Sequence, residues 1–402
     1  MTPEKQFKIS GTGCTLVDYL YKPVDFSAAG FKKYLSKISG DGGLAPGKLV
    51  FLEEFDKFSG KKYSEVRNKI AEGRKPVAVN IGGPSIVSLI HAAQMLHGEP
   101  AEVSFYACRG NDDGGAFIEN KLAGTPLKVG KFKTGTFNTP FTDVLSDPGF
   151  DNGNGERIFI NNIGAAWELL PSDLDASFFE SNMVVFGGTA LVPEIHSALG
   201  ELLQKAKANQ AITIVNTVYD FLSEKLDPAK PWPLGKSVDT YKFIDLLITD
   251  MEEGLRLSGK TNVNAALDFF ESTGVGAVII THGPNAIHYF SNNPLFGNIS
   301  RSSLPVSARV VQELRQYPEM AGDTTGCGDN FVGGVIASVA KQMIASATTV
   351  NLPLAIASGV ASGGFACFYY GGTFYEQFPG QKIDKIQPYF IDYLVETGID
   401  IQ

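Results

Sequence analysis

The sequence predicts an α/β protein: a mainly parallel sheet covered by helices on both faces, with a smaller β-rich appendage. Two observations carry this. Short apolar runs (Met183-Val-Val-Phe-Gly, Ile212-Thr-Ile-Val, Leu246-Leu-Ile-Thr, Ala277-Val-Ile-Ile-Thr) alternate with stretches of helical periodicity. Strands that read as unbroken apolar runs are buried on both sides, as they are between two helical layers. Residues 134–163 instead mix Thr, Asn, Asp and Gly with alternating apolar positions, the texture of antiparallel strands and turns. A ligand site in such a sheet lies beyond the carboxyl ends of the strands.

Each element can be justified in order. Phe7 to Leu20 carries strand-like residues around Gly11 and Gly13, then places Asp18 in apolar surroundings, and reads as the first core strand running into the site. Residues 25–75 hold short helical patterns around a Gly/Pro stretch, longer than a plain strand-to-strand connection requires. Val77-Ala-Val-Asn precedes Gly82-Gly83, and Ile86 to Leu96 reads as a helix. Val103-Ser-Phe-Tyr-Ala is a strand ahead of the turn Arg109-Gly-Asn-Asp-Asp-Gly-Gly, whose two aspartates suit a solvated turn. There is no internal repeat, low-complexity tract or separable tail.

Composition narrows the function classes. The chain has 402 residues, 44% apolar and 19% charged, enough for one large α/β domain with an appendage. A net charge of −9 argues against a broad nucleic-acid surface. The four cysteines (Cys14, Cys108, Cys327, Cys367) show neither Cys-x-x-Cys nor Cys/His metal spacing and read as reduced thiols. The five histidines do not cluster, and His91 and His97 are expected on one helix surface. The first residues lack a signal peptide's apolar run, and no apolar segment reaches membrane-span length. The expectation is a cytoplasmic protein that binds neither nucleic acid nor membrane.

The most informative stretch is Asp323-Thr-Thr-Gly-Cys-Gly-Asp-Asn-Phe331. From Phe331 the apolar residues Phe331, Val332, Val335, Ile336 and Val339 recur with helical period. A glycine-rich turn thus feeds a helix N-terminus, where unpaired N–H groups and the helix dipole favour an anion. Asp329 sits beside that anion site, an electrostatically costly place unless it serves as a base while phosphate charge is stabilised nearby. An ordinary N-cap explains one glycine and one acid, but not the whole block.

This block closely resembles the second signature of the ribokinase-like, or PfkB, carbohydrate kinases, Asp-Thr-x-Gly-Ala/Cys-Gly-Asp-x-Phe. The resemblance implies a ribokinase-like three-layer α/β/α core with a small β-rich lid. It implies a single domain over 1–402, with core 1–20, 76–130 and 165–402 and lid or insert 21–75 and 131–164. The implied activity is transfer of the γ-phosphoryl group of ATP to a hydroxyl, the primary alcohol, of a sugar or sugar derivative. Asp329 would be the base, and Gly326, Cys327 and Gly328 the anion-hole turn. Asp18, Gly82 and Gly83 match the acceptor site. Thr281-His-Gly283 matches a nucleotide segment, and Asp250 and Glu253 stand where the family has Asn-x-x-Glu near magnesium and phosphates. Glu253 and Asp323 would face Mg2+. Gly110-Asn-Asp-Asp with Gly115, and Gly155-Glu-Arg157 before Gly164-Ala-Ala, are similar to further family segments. The resemblance also leaves room for a monovalent cation (K+) and for a homodimer through the lid.

Three departures bear on the acceptor and the metal. Val87 replaces the sugar-binding Asn of the first signature, Asp250 replaces the usual Asn, and Ala286 replaces a second Gly. Gly43-Leu-Ala-Pro-Gly-Lys resembles the adenosine kinase branch, so a nucleoside acceptor is the alternative, with Phe137, Phe141 or Phe159 offering an aromatic slot. A non-catalytic ligand-binding protein is a third reading, opposed by the intact Asp329 and Gly-x-Gly. Finally, Gly254-Leu-Arg-Leu-Ser-Gly-Lys260-Thr formally matches a P-loop. Leu255 and Leu257 after Glu252 and Glu253 instead predict a short helix ending at Gly259.

Overall fold

Period-two alternation inside the apolar runs sets the architecture. In the computed structural model, which describes residues 6–38, 40–153, 155–322 and 324–400, successive strand residues enter two different cores. Val185, Ile214, Ile248 and Ile279 pack on one face of the central sheet. Val184, Phe186, Val215, Leu247 and Val278 pack on the other. Two-sided burial of this kind needs helices on both faces.

The strands are β1 (Phe7–Gly13), β2 (Leu16–Tyr21), β3 (Leu49–Phe51), β4 (Ala78–Gly82), β5 (Ala101–Arg109), β6 (Lys128–Thr134), β7 (Phe141–Asp147), β8 (Glu156–Asn162), β9 (Met183–Gly187), β10 (Ile212–Asn216), β11 (Leu246–Asp250), β12 (Ala277–Thr281), β13 (Ile287–Asn293) and β14 (Gly297–Leu304). The large sheet runs β14-β13-β12-β11-β10-β9-β1-β5-β6. Its strands from β12 to β6 are parallel, with β13 and β14 added antiparallel at one edge. Three helices cover its first face: Pro84–Met95, Cys327–Ile344 and Leu352–Ala366.

The small sheet runs β3-β8-β7-β2-β4. Here the structure corrects the reading of residues 7–20 as one core strand. The chain breaks at Cys14 and Thr15: β1 stays in the large sheet, whereas β2, with Asp18, crosses into the small one. Strand β4 also joins the small sheet, antiparallel to β2, although its residues fall in a stretch expected to be core. Conversely, β6 carries the large sheet through Thr134, past the expected lid boundary at 131. Turn residues alone do not reveal which sheet a strand enters, because partner strands are remote in sequence.

The outer face of the small sheet is covered by the long insert. Helices Leu52–Ser59 and Tyr63–Ile70 bury Phe55, Tyr63, Val66 and Ile70 against Tyr21, Leu145, Ile158 and Ile160. Arg67 reaches through this layer to the fully buried Asp143, 3.2 Å away. Burial pushes the Asp143 carboxyl up despite that partner. Among the described residues no helix is long and apolar enough to cross a membrane.

Candidate active site

The parallel strands end at one rim, and the small sheet closes over it. Between them lies a cavity of about 460 Å³. Its small-sheet wall follows from strand register. Asn80, Asp18, Thr142 and Asn161 are paired neighbours across β4, β2, β7 and β8 and form one polar row. Two residues further along, Leu20, Val144, Phe159 and Leu49 form an apolar row. The rows are about 7 Å apart, the two-residue repeat of a strand. Arg157 lies one repeat beyond Phe159 on β8, with its guanidinium 5.8 Å from the Phe159 ring centre.

Close approach explains Gly82. A Cβ there would lie 2.0 Å from Oδ2 of Asp18, so only glycine leaves room for that carboxylate. Gly83 caps the Pro84–Met95 helix and does not line the cavity. Asn161 donates to the Thr142 hydroxyl at 3.0 Å. The side-chain carbonyl oxygens of Asn161 and Asn216 are buried without a hydrogen-bond partner among the described residues. Both residues line the cavity. Buried acceptors without partners call for donors, which a hydroxylated ligand supplies.

The opposite wall contains Thr217, Thr249, Asp250, Glu253, Thr281, Thr325, Gly328 and Asp329. Gly326 adopts φ 78° as the residue before the Cys327–Ile344 helix, a left-handed conformation that glycine takes without strain. The turn thereby aims the helix N-terminus at the cavity. Asp329, in the first turn, is pushed up to about 6 by burial. Asp250 caps the Met251–Ser258 helix, accepting from the Glu253 N–H at 2.7 Å. Glu253 accepts from the Thr217 hydroxyl and is pushed up to about 8, first by burial, then by the charges of Asp250 and Asp329. A carboxylate cluster with this much unneutralised charge suits a cation or a proton. Among the described residues no three His, Cys, Asp or Glu side chains gather closely enough to hold a metal by themselves.

Six of the twelve site residues singled out from sequence converge: Asp18, Asp250, Glu253, Thr281, Gly328 and Asp329 line one cavity. Gly283 does not; it lies just past β12 with φ 52° and open space around it. Cys327 points away toward Cys367, with their sulfurs 3.4 Å apart. Asp323 lies outside the described residues. Of the three candidate aromatics only Phe159 lines the cavity; Phe137 is exposed and Phe141 packs edge-on against Tyr19. Val87 is buried against Gly372 and does not line the cavity, whereas Asn80 of the small sheet does. His91 is not on a helix surface but fully buried. Asp112 is a structural tie: it caps the Asp113–Leu122 helix and accepts from Thr139 N–H at 2.8 Å. Gly259 ends the Met251–Ser258 helix with φ 66° and leaves Lys260 exposed, so the P-loop pattern is a helix C-terminus.

The sequence reading missed Asn80, Thr142, Asn161, Asn216 and Thr217. Period-two alternation around Asp18 and Asn80 was an available signal, but the row exists only once four strands pair. It also missed the approach of Arg157, whose Nη1 comes 3.5 Å from the Thr325 hydroxyl, from the small sheet to the glycine-rich turn. Chemically, a helix N-terminus that attracts an anion beside a carboxylate of raised pKa can deprotonate a hydroxyl while charge on the anion is stabilised.

Several solved structures share this fold. An adenosine kinase from Schistosoma mansoni in complex with 2-fluoroadenosine is 16% identical, with TM-score 0.65 over 92% of this chain and 97% of that one. A probable sugar kinase from Rhizobium etli is 16% identical, with TM-score 0.67 over 96% and 100%. A putative ribokinase II from E. coli, in complex with ATP and Mg2+, is 16% identical, with TM-score 0.60 over 96% and 99%. A family model described as pfkB family carbohydrate kinase matches residues 64–377, well over half of the sequence. With that match, the fold and the cavity in agreement, the chain belongs to the pfkB family of carbohydrate kinases and is a phosphotransferase.

Proposed function

We propose that this protein transfers the γ-phosphoryl group of ATP to a hydroxyl, the primary alcohol, of a sugar or sugar-like acceptor seated on the polar row of the small sheet. The observation that carries the reading is that Asp18, on the small sheet, and Asp329, at the N-terminus of the Cys327–Ile344 helix, line one cavity from opposite walls. Asp18, Asn80 and Asn161 hold the acceptor's hydroxyls, and Asp329 takes the proton of the reacting one. Backbone N–H groups of residues 326–328 stabilise the transferring phosphoryl, with Arg157 adding positive charge from the small-sheet side. Thr281 and the adjoining ends of β11 and β12 border the nucleotide.

Magnesium fits the donor set. Mg2+ is normally held by one or two carboxylates together with substrate phosphates, and Glu253, with Asp250 beside it, offers oxygen ligands whose pKa values burial pushes up, so that a cation would displace the proton. When bound, it neutralises phosphate charge. K+ dependence is decided by replacing K+ with choline in the assay.

A second reading, a nucleoside acceptor, is favoured by the apolar row. Leu20, Val144, Phe159 and Leu49 lie about 7 Å beyond the hydroxyl-binding row, where a flat apolar group joined to a sugar would rest. The test is an ATP–Mg2+ screen across pentoses, hexoses, sugar acids and nucleosides, with Asp329→Asn as control. Turnover should fall about 10² to 10⁴-fold in that variant with ATP affinity retained. Near-normal kcat in Asp329→Asn would remove Asp329 as the base.

A further inference from the structure

Behind the catalytic turn lies a buried lysine that the chemistry above does not use. Lys382, on the C-terminal helix Gln381–Thr397, is 1% exposed. Its ammonium donates to Oδ1 of Asn330 at 2.9 Å and to Oε1 of Gln94 at 3.1 Å. Glu376 accepts the Lys382 backbone N–H at 2.8 Å; no carboxylate pairs with the ammonium among the described residues. Gln94 is itself fixed, donating through Nε2 to the Phe374 carbonyl at 2.7 Å. Burying this ammonium is costly: burial holds its pKa down to about 7 although the Glu376 charge opposes the shift, and an apolar residue of similar length would fill the space at less cost.

What the ammonium determines is the orientation of one amide. Asn330 follows Asp329 directly and is completely buried. Its Nδ2 donates to the carbonyl of Gly326 at 2.8 Å and to that of Gly372 at 2.7 Å. Its Oδ1 accepts from Lys382 and from the Tyr369 hydroxyl at 3.1 Å. An Asn side chain can present oxygen or NH2 to either side. With two carbonyls that only accept on one side and the Lys382 donor on the other, one orientation satisfies both: oxygen toward Lys382, NH2 toward the carbonyls. The reversed amide would set oxygen against the Gly326 carbonyl and open the turn.

Building on the phosphoryl-transfer reading, we infer that Lys382 is a positioning residue: it locks the Asn330 amide, which clamps the Gly326 and Gly372 carbonyls and so fixes the anion-hole turn beside Asp329.

The experiment is steady-state kinetics of full-length variants with ATP–Mg2+ and the best acceptor from the screen. Lys382→Met should lower kcat about 10 to 100-fold, because small misplacements of reacting groups cost that much, while KM for both substrates stays within about 3-fold. Asn330→Leu should lower kcat similarly, and adding Lys382→Met to it should cause no further loss, since both act through one amide. Wild-type kcat in Lys382→Met, or losses that multiply in the double variant, overturns the inference. Tyr369→Phe removes only the second hydroxyl donor and should lower kcat about 2 to 5-fold. Where Lys382→Met alone does not fold, equal kcat in Asn330→Leu and in the double variant supports the inference, and a further loss in the double variant overturns it. Asp329→Asn assayed in parallel separates the two readings. An active Asp329→Asn removes the base assignment, whereas an inactive one beside a fully active Lys382→Met removes only the role of Lys382.

Discussion

As the proposed base, Asp329 would meet two demands, since a base must be deprotonated yet basic enough to take a proton. Burial pushes its carboxyl up to about 6, so the active, charged form is lost as pH falls through that value. The expected kcat/KM profile therefore rises with pH across about 6 and levels above it, and a flat profile between pH 5 and 7 would overturn the assignment. Gly328 makes a second test. A Cβ built there meets no protein atom, so Gly328→Val should fold normally by circular dichroism yet lose phosphoryl transfer, its side chain filling the phosphate space. Lys260→Ala should stay active, since Lys260 is an exposed residue past a helix end whose dipole interaction is worth at most about 0.3–1 kcal/mol. The reverse pattern would move the phosphate site to residues 254–261. Asp329, Gly326 and Gly328 were legible because turn and helix start are contiguous in sequence. Asn161 and Lys382 were not, because each gains its meaning from a partner on another element.

The small sheet with its insert behaves as an element with its own interior. Asp143 is fully buried and Arg67 is its cationic partner. Removing the guanidinium leaves an uncompensated buried charge, typically a loss of about 3 kcal/mol or more. Arg67→Met should thus lower stability in urea denaturation by about that amount and weaken acceptor binding, while ATP binding to the large sheet stays near wild type. Unchanged stability would mean that Asp143 is carried protonated. The antiparallel texture of 134–163 and the apolar runs of the large sheet were readable from periodicity alone. The crossing at Cys14 and Thr15 was not, since nothing in residues 7–20 distinguishes a strand that continues from one that changes sheets.

Across the whole molecule, the lid's outer face is filled by the chain's own residues, Phe55, Tyr63, Val66 and Ile70 among them. A dimer stacking lid against lid would have to displace that core. Any dimer that light scattering finds should therefore be joined elsewhere; cross-links between small-sheet outer faces would contradict this. Fold class was legible because both cores are written into period-two strands and helical runs, whereas strand order was not, because it is set by long-range pairing.

That pairing has a consequence for how the chain must be made. Strand β1 precedes the other strands of the large sheet in the sequence, yet it is a seam of that sheet, flanked by β5 and by β9, with Ile9 opposite Val103 and Met183. Until β9 is synthesised the seam has one neighbour only, and non-local pairing of this kind is slow and exposes apolar edges. The seam thus stays half-paired until residue 187 has been made, and refolding from denaturant should be slow and sensitive to protein concentration.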